Sequence, residues 1–170
     1  MKFRRIVFAC ALSAFVTSAD MTRAADRRLA PNFTLPSVKG DRISLSSYRG
    51  RVVLLDFWAT WCTGCKVEIP WFIEFDRKYR SKGLMTIGAA MDEEGDKLVV
   101  PYLQQHHIPY PIVTGFPSLM KPYEITALPV TLLIDKEGRI ADIHAGIVDK
   151  AAWERKIQSL LRESTGRAER

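Results

Sequence analysis

"FWATWCTGCKVEIPWF", Phe57 to Phe72, decides the fold. Cys62 and Cys65 stand three apart, between Trp61 and Trp71, with an acid at Glu68 and a proline at Pro70. The run leading into it, "RVVLLDFWA" (Arg51–Ala59), is almost continuously β-branched, aliphatic or aromatic, which reads as a buried strand. From Cys62 to about Arg80 the pattern turns helical, with Val67, Trp71, Ile73 and Phe75 available for burial. A strand ending at Ala59 and feeding a helix that begins at the first cysteine places the Cys62 sulfur at a helix N-terminus. Unsatisfied N–H groups and the positive dipole end gather there. Both favour thiolate over thiol, and the thiolate is the nucleophile. Cys65 falls one turn later on the same face, placed to attack a mixed disulfide formed on Cys62. Pro70 removes a hydrogen bond to Lys66, which predicts a kink.

Outward from this stretch, strands and helices alternate. "FTLPSVKGDRISLSSYRG" (Phe33–Gly50) reads as a small hairpin turning at Lys39–Gly40–Asp41. "LMTIGAAM" (Leu84–Met91) is a second buried strand. "EEGDKLVVPYLQQHH" (Glu93–His107) reads as a helix broken or restarted at Pro101, followed by a short extended "YPIVTG". "PVTLLIDKEGRIADIHAG" (Pro129–Gly146) is a hairpin around Asp135–Gly138. "DKAAWERKIQSLLRE" (Asp149–Glu163) is an amphipathic closing helix with Ala152, Trp153, Ile157, Leu160 and Leu161 toward the core. The order predicts an α/β domain: a central mixed sheet with helices on both faces and an N-terminal β-hairpin.

Other uses of a cysteine pair fit less well. A structural zinc site needs four ligands, and no second C-x-x-C exists. His106 and His107 are adjacent and point apart on a helix, and His144 is isolated, so all three read as surface or packing residues and no metal is expected. A purely structural disulfide across so small a loop would restrain little unfolded-chain entropy. Two thiolates would hold Cu(I), which prefers soft ligands. That keeps a copper-site assembly factor or Cu(I) metallochaperone as the alternative function, although no methionine cluster flanks the pair.

"VVLLDFWATWCTGCKVEIP" followed by "ITALPVTLLIDKEGRI" resembles the thioredoxin superfamily, and within it the exported TlpA-like branch of ResA- and DsbE-type proteins. The resemblance covers most of Ala30–Leu161. It implies a thioredoxin-like fold and thiol-disulfide oxidoreductase activity at a Cys62–Cys65 redox disulfide, with no cofactor. It implies a cis bond between Leu128 and Pro129, opposite the cysteines, where neighbouring backbone pairs with an extended substrate. Trp61 then forms an apolar rim that substrates touch, while Trp58 belongs to the core. Two acids match family positions. Asp56 stands where ordinary thioredoxins keep a buried acid and many TlpA-like relatives have Asn, and Glu68 stands where ResA-like proteins carry one. Either would accept the Cys65 proton. Gly64 replaces the proline that many relatives place before the second cysteine, which predicts a looser first turn. A peroxiredoxin pattern, P-x-x-x-[T/S]-x-x-C, fails at Leu55 and Ala59. The resemblance further implies a membrane-bound thiol-disulfide electron donor. It points to a disulfide-bearing protein substrate, either an apocytochrome c with an oxidised C-x-x-C-H segment or a protein whose copper site is being assembled.

Length and composition are consistent with one such domain. The chain has 170 residues, 47% of them hydrophobic and 26% charged. Its start has the layout of a secretory signal peptide: basic "MKFRR", an apolar Ile6–Val16, then small residues at Thr17–Ala19 and Thr22–Ala24. The rivals are a retained N-terminal anchor, for which the apolar run is short, and a lipoprotein site at Cys10. The expected organisation is a leader over 1–25, a domain over 26–163 and a charged flexible tail over 164–170. The product would be periplasmic or otherwise exported. Removing Met1–Ala19 takes away Lys2, Arg4, Arg5 and Cys10, so the net charge falls from +6 to +3 and Cys62 and Cys65 are the cysteines left. The basic balance is therefore partly an export signal and gives little ground for a nucleic-acid partner.

Overall fold

The computed structural model describes residues 27–164. The expectations for the leader and for most of the tail lie outside them. Among the described residues no helix is long and apolar enough to cross a membrane.

Three strands form the parallel half of the sheet: β3 (Val52–Trp58), β4 (Leu84–Ala90) and β5 (Ile112–Thr114). β6 (Val130–Ile134) joins the other edge of β3 antiparallel, and β7 (Ile140–Ala145) pairs antiparallel with β6. The order is β5-β4-β3-β6-β7, a mixed sheet as expected. Ahead of it β1 (Thr34–Pro36) and β2 (Arg42–Ser44) make the separate hairpin. β3 is central and buried along its whole length, which explains why its sequence is continuously apolar rather than alternating. The β6–β7 turn closes on Asp135, whose Oδ1 accepts the N–H groups of Glu137 and Arg139. Gly138 there has φ +74°, a conformation that a side chain would disfavour.

Helix α1 (Thr63–Tyr79) connects β3 to β4, and α2 (Asp96–His106) connects β4 to β5. Both crossovers step the same way along the sheet. Right-handed connections therefore put both helices on one face, where α3 (Lys150–Arg162) packs too. Val99 of α2, Phe72 of α1 and Trp153 of α3 share one core with Val52, Leu54 and Trp58. The opposite face carries Val53, Leu55 and Phe57. Its cover is the hairpin, the short helical turn Leu45–Tyr48 and a run of tight turns through Leu119 and Tyr123.

Some local expectations need correction. In α1 the buried stripe is Cys65, Glu68, Ile69, Phe72, Phe75, Asp76 and Tyr79. Val67 is exposed and Trp71 and Ile73 are half-buried. Two acids sit inside the stripe, so apolar periodicity alone misplaces it. Helix α2 starts at Asp96 and runs through Pro101 without a break. In α3, Trp153, Ile157 and Leu160 are buried, while Ala152 and Leu161 are half-buried.

The two ends of the described chain are clasped together. The Arg27 guanidinium donates to Asp135 at 3.0 Å and to both Glu163 oxygens at 2.8 and 3.0 Å. The arm behind it pairs with the start of β7 through Leu29 and Arg139.

Gly88 of β4 shows how tightly the helical side is packed. A Cβ there would fall 2.4 Å from Ile112 Cδ1 and 2.9 Å from Trp58 Nε1. Gly88→Val is expected to lower stability by about 3 kcal/mol, the upper range for overpacking. Urea denaturation measures it, and an unchanged midpoint would mean that this layer yields freely.

Candidate functional site

β3 ends at Trp58, and the chain turns through Thr60 and Trp61 before α1 begins. Cys62 is the N-cap of α1, and its Sγ accepts the Cys65 N–H at 3.2 Å. The two sulfurs are bonded at 2.00 Å, with the Cα atoms 5.4 Å apart. Cys62 keeps 5% exposure and Cys65 none. An attacking partner thus reaches Cys62 first.

The Leu128–Pro129 bond is cis, as expected, and Pro129 is buried. What brings it against the cysteines is Gly64. A Cβ on Gly64 would lie 3.2 Å from Pro129 Cδ and 3.3 Å from Ile147 Cγ1. The absence of a side chain at Gly64 lets three segments meet: the cysteine turn, the cis-proline strand and the turn between β7 and α3. The expectation of a looser first turn considered backbone freedom alone and missed this close approach.

The two acids lie on the same side of the sheet. Strand alternation puts Asp56 on the face of Leu54 and Trp58, under α1. Its register neighbours are Gly88 on β4 and Thr131 on β6. Asp56 is buried, and neither carboxylate oxygen has a hydrogen-bond partner in the protein. Burial, and then the charge of Glu68, push its pKa well above the ordinary carboxylate value. Glu68 lies three residues past Cys65 in the buried stripe. Its Oε1 accepts the Val148 N–H at 2.7 Å, while Oε2 is buried without a partner. Burial pushes its pKa up to about 7, partly offset by the Val148 bond. Glu68 is therefore not a solvated residue of the helix surface.

Trp61 is 66% exposed. With Leu128 it opens onto a groove of about 420 Å³ whose lining includes Leu98, Phe116, Met120 and Ile125. Trp58 is core, as expected, with its ring 5.3 Å from that of Tyr102.

Several contributors escaped the sequence reading. Val148 acts through its backbone N–H, which no side-chain pattern reveals. Ile147 is half of the Gly64 contact. Asp92, just after β4, accepts the Thr60 N–H at 3.1 Å and also takes a bond from the Thr60 hydroxyl. Only the position of Asp92 at a strand end hinted at a role. Two histidines pack on aromatic rings, and His107 is a surface residue. His106 stacks on Tyr102, with centroids 4.1 Å apart, and His144 meets the Trp153 ring edge-on. Leu55 and Ala59 are both buried, and they stand where a peroxiredoxin pattern needs a proline and a hydroxyl residue respectively.

A mixed sheet of this topology, with a C-x-x-C disulfide at a helix N-terminus beside a cis-proline, defines a thiol-disulfide oxidoreductase with a thioredoxin-like fold. Similar proteins agree. The thioredoxin-like protein YneN of Bacillus subtilis (strain 168) is 31% identical, over 75% of this chain and 76% of its own. The thiol-disulfide oxidoreductase ResA of Geobacillus kaustophilus (strain HTA426) is 34% identical, over 83% and 81%. The crystal structure of a thiol:disulfide interchange protein DsbE from Chlorobium tepidum superposes with a TM-score of 0.73 at 32% identity, over 79% of this chain and 96% of that one. The chain belongs to the AhpC/TSA family, whose pattern it matches over residues 27–143, and within the thioredoxin superfamily it is of the ResA and DsbE type.

Proposed function

We propose that the protein is an exported reductant of protein disulfides, acting through Cys62 as nucleophile and Cys65 as resolving thiol. The observation that carries this is the asymmetry of the pair: Cys62 caps the helix and retains exposure, while Cys65 is sealed beneath it.

In the reduced protein the Cys62 thiolate attacks one sulfur of a substrate disulfide. A mixed disulfide forms and the first substrate thiolate leaves. Cys65 gives its proton to a carboxylate and attacks Cys62 Sγ. The Cys62–Cys65 disulfide forms and the second substrate thiolate leaves. Two electrons pass from the dithiol to the substrate, and the two protons end on the substrate's thiols. A membrane-bound thiol-disulfide donor then restores the dithiol. Glu68 is the proton acceptor, since a carboxyl titrating near neutrality both takes and releases a proton at working pH. Asp56 couples to it from below. Leu128 and Pro129 hold the extended substrate by backbone pairing, and Trp61 covers its apolar side.

The chain's opening supports export: a leader or anchor over 1–25 precedes a domain over 26–163, with a charged tail over 164–170. The resemblance to the TlpA-like branch makes an oxidised apocytochrome c the first candidate substrate and a copper-site protein the second. Cu(I) carriage by the same thiols is the alternative. It gains from Met91, which lines the groove beside Met120 and Trp61 rather than ending inside a strand.

Cys65→Ala, made in cells, leaves Cys62 able to attack and unable to be resolved. Exported cysteine-bearing proteins should accumulate on Cys62 as mixed disulfides. Recovery of no adduct beyond a Cys62→Ala control would count against disulfide reduction. Tight Cu(I) binding without insulin reduction would favour the copper reading.

A further inference from the structure

The groove beside Trp61 differs in charge from the chain that carries it. The whole chain is +6, yet the charged residues of the groove are Asp92, Glu93 and Glu94, and no lysine or arginine lines it among the described residues. Asp92 is buried and committed to Thr60. Glu93 and Glu94 are exposed and form no ion pair among the described residues. They are not loosely placed relative to the cysteines. Thr60 immediately precedes Trp61, and its bonds to Asp92 tie the acid-bearing turn to the redox turn. The opposite wall, Ile125 to Leu128, leads straight into cis-Pro129. A polypeptide lying over Cys62 therefore runs between an apolar wall and two unpaired carboxylates.

We propose that this groove selects the substrate segment, taking one with a large apolar side chain and a lysine or arginine beside it, close to the attacked cysteine. The proposal rests on the reading of the protein as a disulfide reductant and adds the substrate class. Leu98, Phe116, Met120 and Ile125 bury the apolar side chain, and Glu93 and Glu94 meet the cation at the mouth. An acidic segment would bring like charges together there. A phosphate-bearing ligand would find no cationic side chain.

Short peptides with an internal disulfide test this. One cysteine is flanked by Leu–Arg, Leu–Gln, Leu–Glu or Ala–Arg, and the reduced protein is mixed with each at low and high salt. Leu–Arg should be reduced about tenfold faster than Leu–Glu at low salt, as two exposed charge contacts allow. Salt should compress the gap. In a Glu93→Gln/Glu94→Gln double variant the Arg-over-Glu preference should fall within about twofold. Equal rates for Leu–Arg and Leu–Glu at low salt, or a preference that survives in the double variant, overturn the proposal. So does equal reduction of Leu–Arg and Ala–Arg. The same peptides with serine for cysteine are titrated into the oxidised protein, following the Trp61 indole N–H resonance. Selective binding of Leu–Arg supports the groove whichever way electrons flow, even if no peptide is reduced. Reduction of every peptide at one rate keeps the reductant reading and removes this one.

Discussion

Glu68→Gln stabilises the oxidised protein by about 2 kcal/mol at about pH 8 and by almost nothing at about pH 4. Glu68 is buried, and its pKa rises from 4.5 in the ordinary case to about 7. Ionising it in place costs about 3 kcal/mol, discounted to about 2 for solvent screening. The sign follows from proton counting. Below about pH 4 the carboxyl is protonated whether the chain is folded or not, and it contributes no difference. As pH rises from 4.5 toward 7, the unfolded chain releases the proton while the folded protein keeps it, so wild-type stability falls. Above 7 the full cost remains. Glutamine carries no charge and keeps an oxygen for the Val148 N–H, so its curve lacks this descent. Denaturant midpoints for both proteins across this range measure it. Parallel curves would mean that Glu68 ionises as freely as a surface residue. Asp56→Asn should act in the same direction, because burial and the Glu68 charge raise that acid as well.

The second large effect is kinetic. At neutral pH, Glu68→Gln should slow resolution of the mixed disulfide by about a hundredfold or more, the usual worth of a positioned general base. The deficit should shrink as pH rises, because Cys65 then ionises without help. Rapid mixing of reduced protein with a disulfide substrate separates attack by Cys62 from resolution by Cys65. Only the second step should slow. Asp56→Asn should shift the pH dependence of both thiols if, as the proposed mechanism has it, the two acids couple to the thiols. If Glu68→Gln overlays the wild type while Asp56→Asn moves the curve, Asp56 alone takes the proton.

The parts of this site that were legible in the sequence depend on local rules. The apolar run into Cys62 reads as a central strand because β3 is buried throughout. The cysteine spacing reads as one helical turn because α1 begins at Thr63. The parts that were not legible depend on burial of polar groups and on irregular chain. Glu68 and Asp76 occupy the buried stripe of α1, so a search for apolar residues selects Val67, which faces solvent. Phe116, Met120 and Ile125 come from a turn-rich segment with no period to follow, so the groove had no signature. Gly64 read as a loss of stiffness because Ile147 lies more than eighty residues away in sequence and touches it only in the fold.

The clasp of Arg27 with Asp135 and Glu163 fixes the pole at which the described chain begins. Phe57, beside the cysteine turn, pairs with Val130, whereas Val53 pairs with Ile134 at the other end of the sheet, next to Asp135. Arg27 is thus pinned at the pole away from the disulfide, about 20 Å off by the length of β3. If the segment before residue 27 is fixed to a membrane, a short tether would present the cysteines outward, toward whatever moves in the space beyond. A donor embedded in that membrane would then have to reach past the domain to meet Cys62.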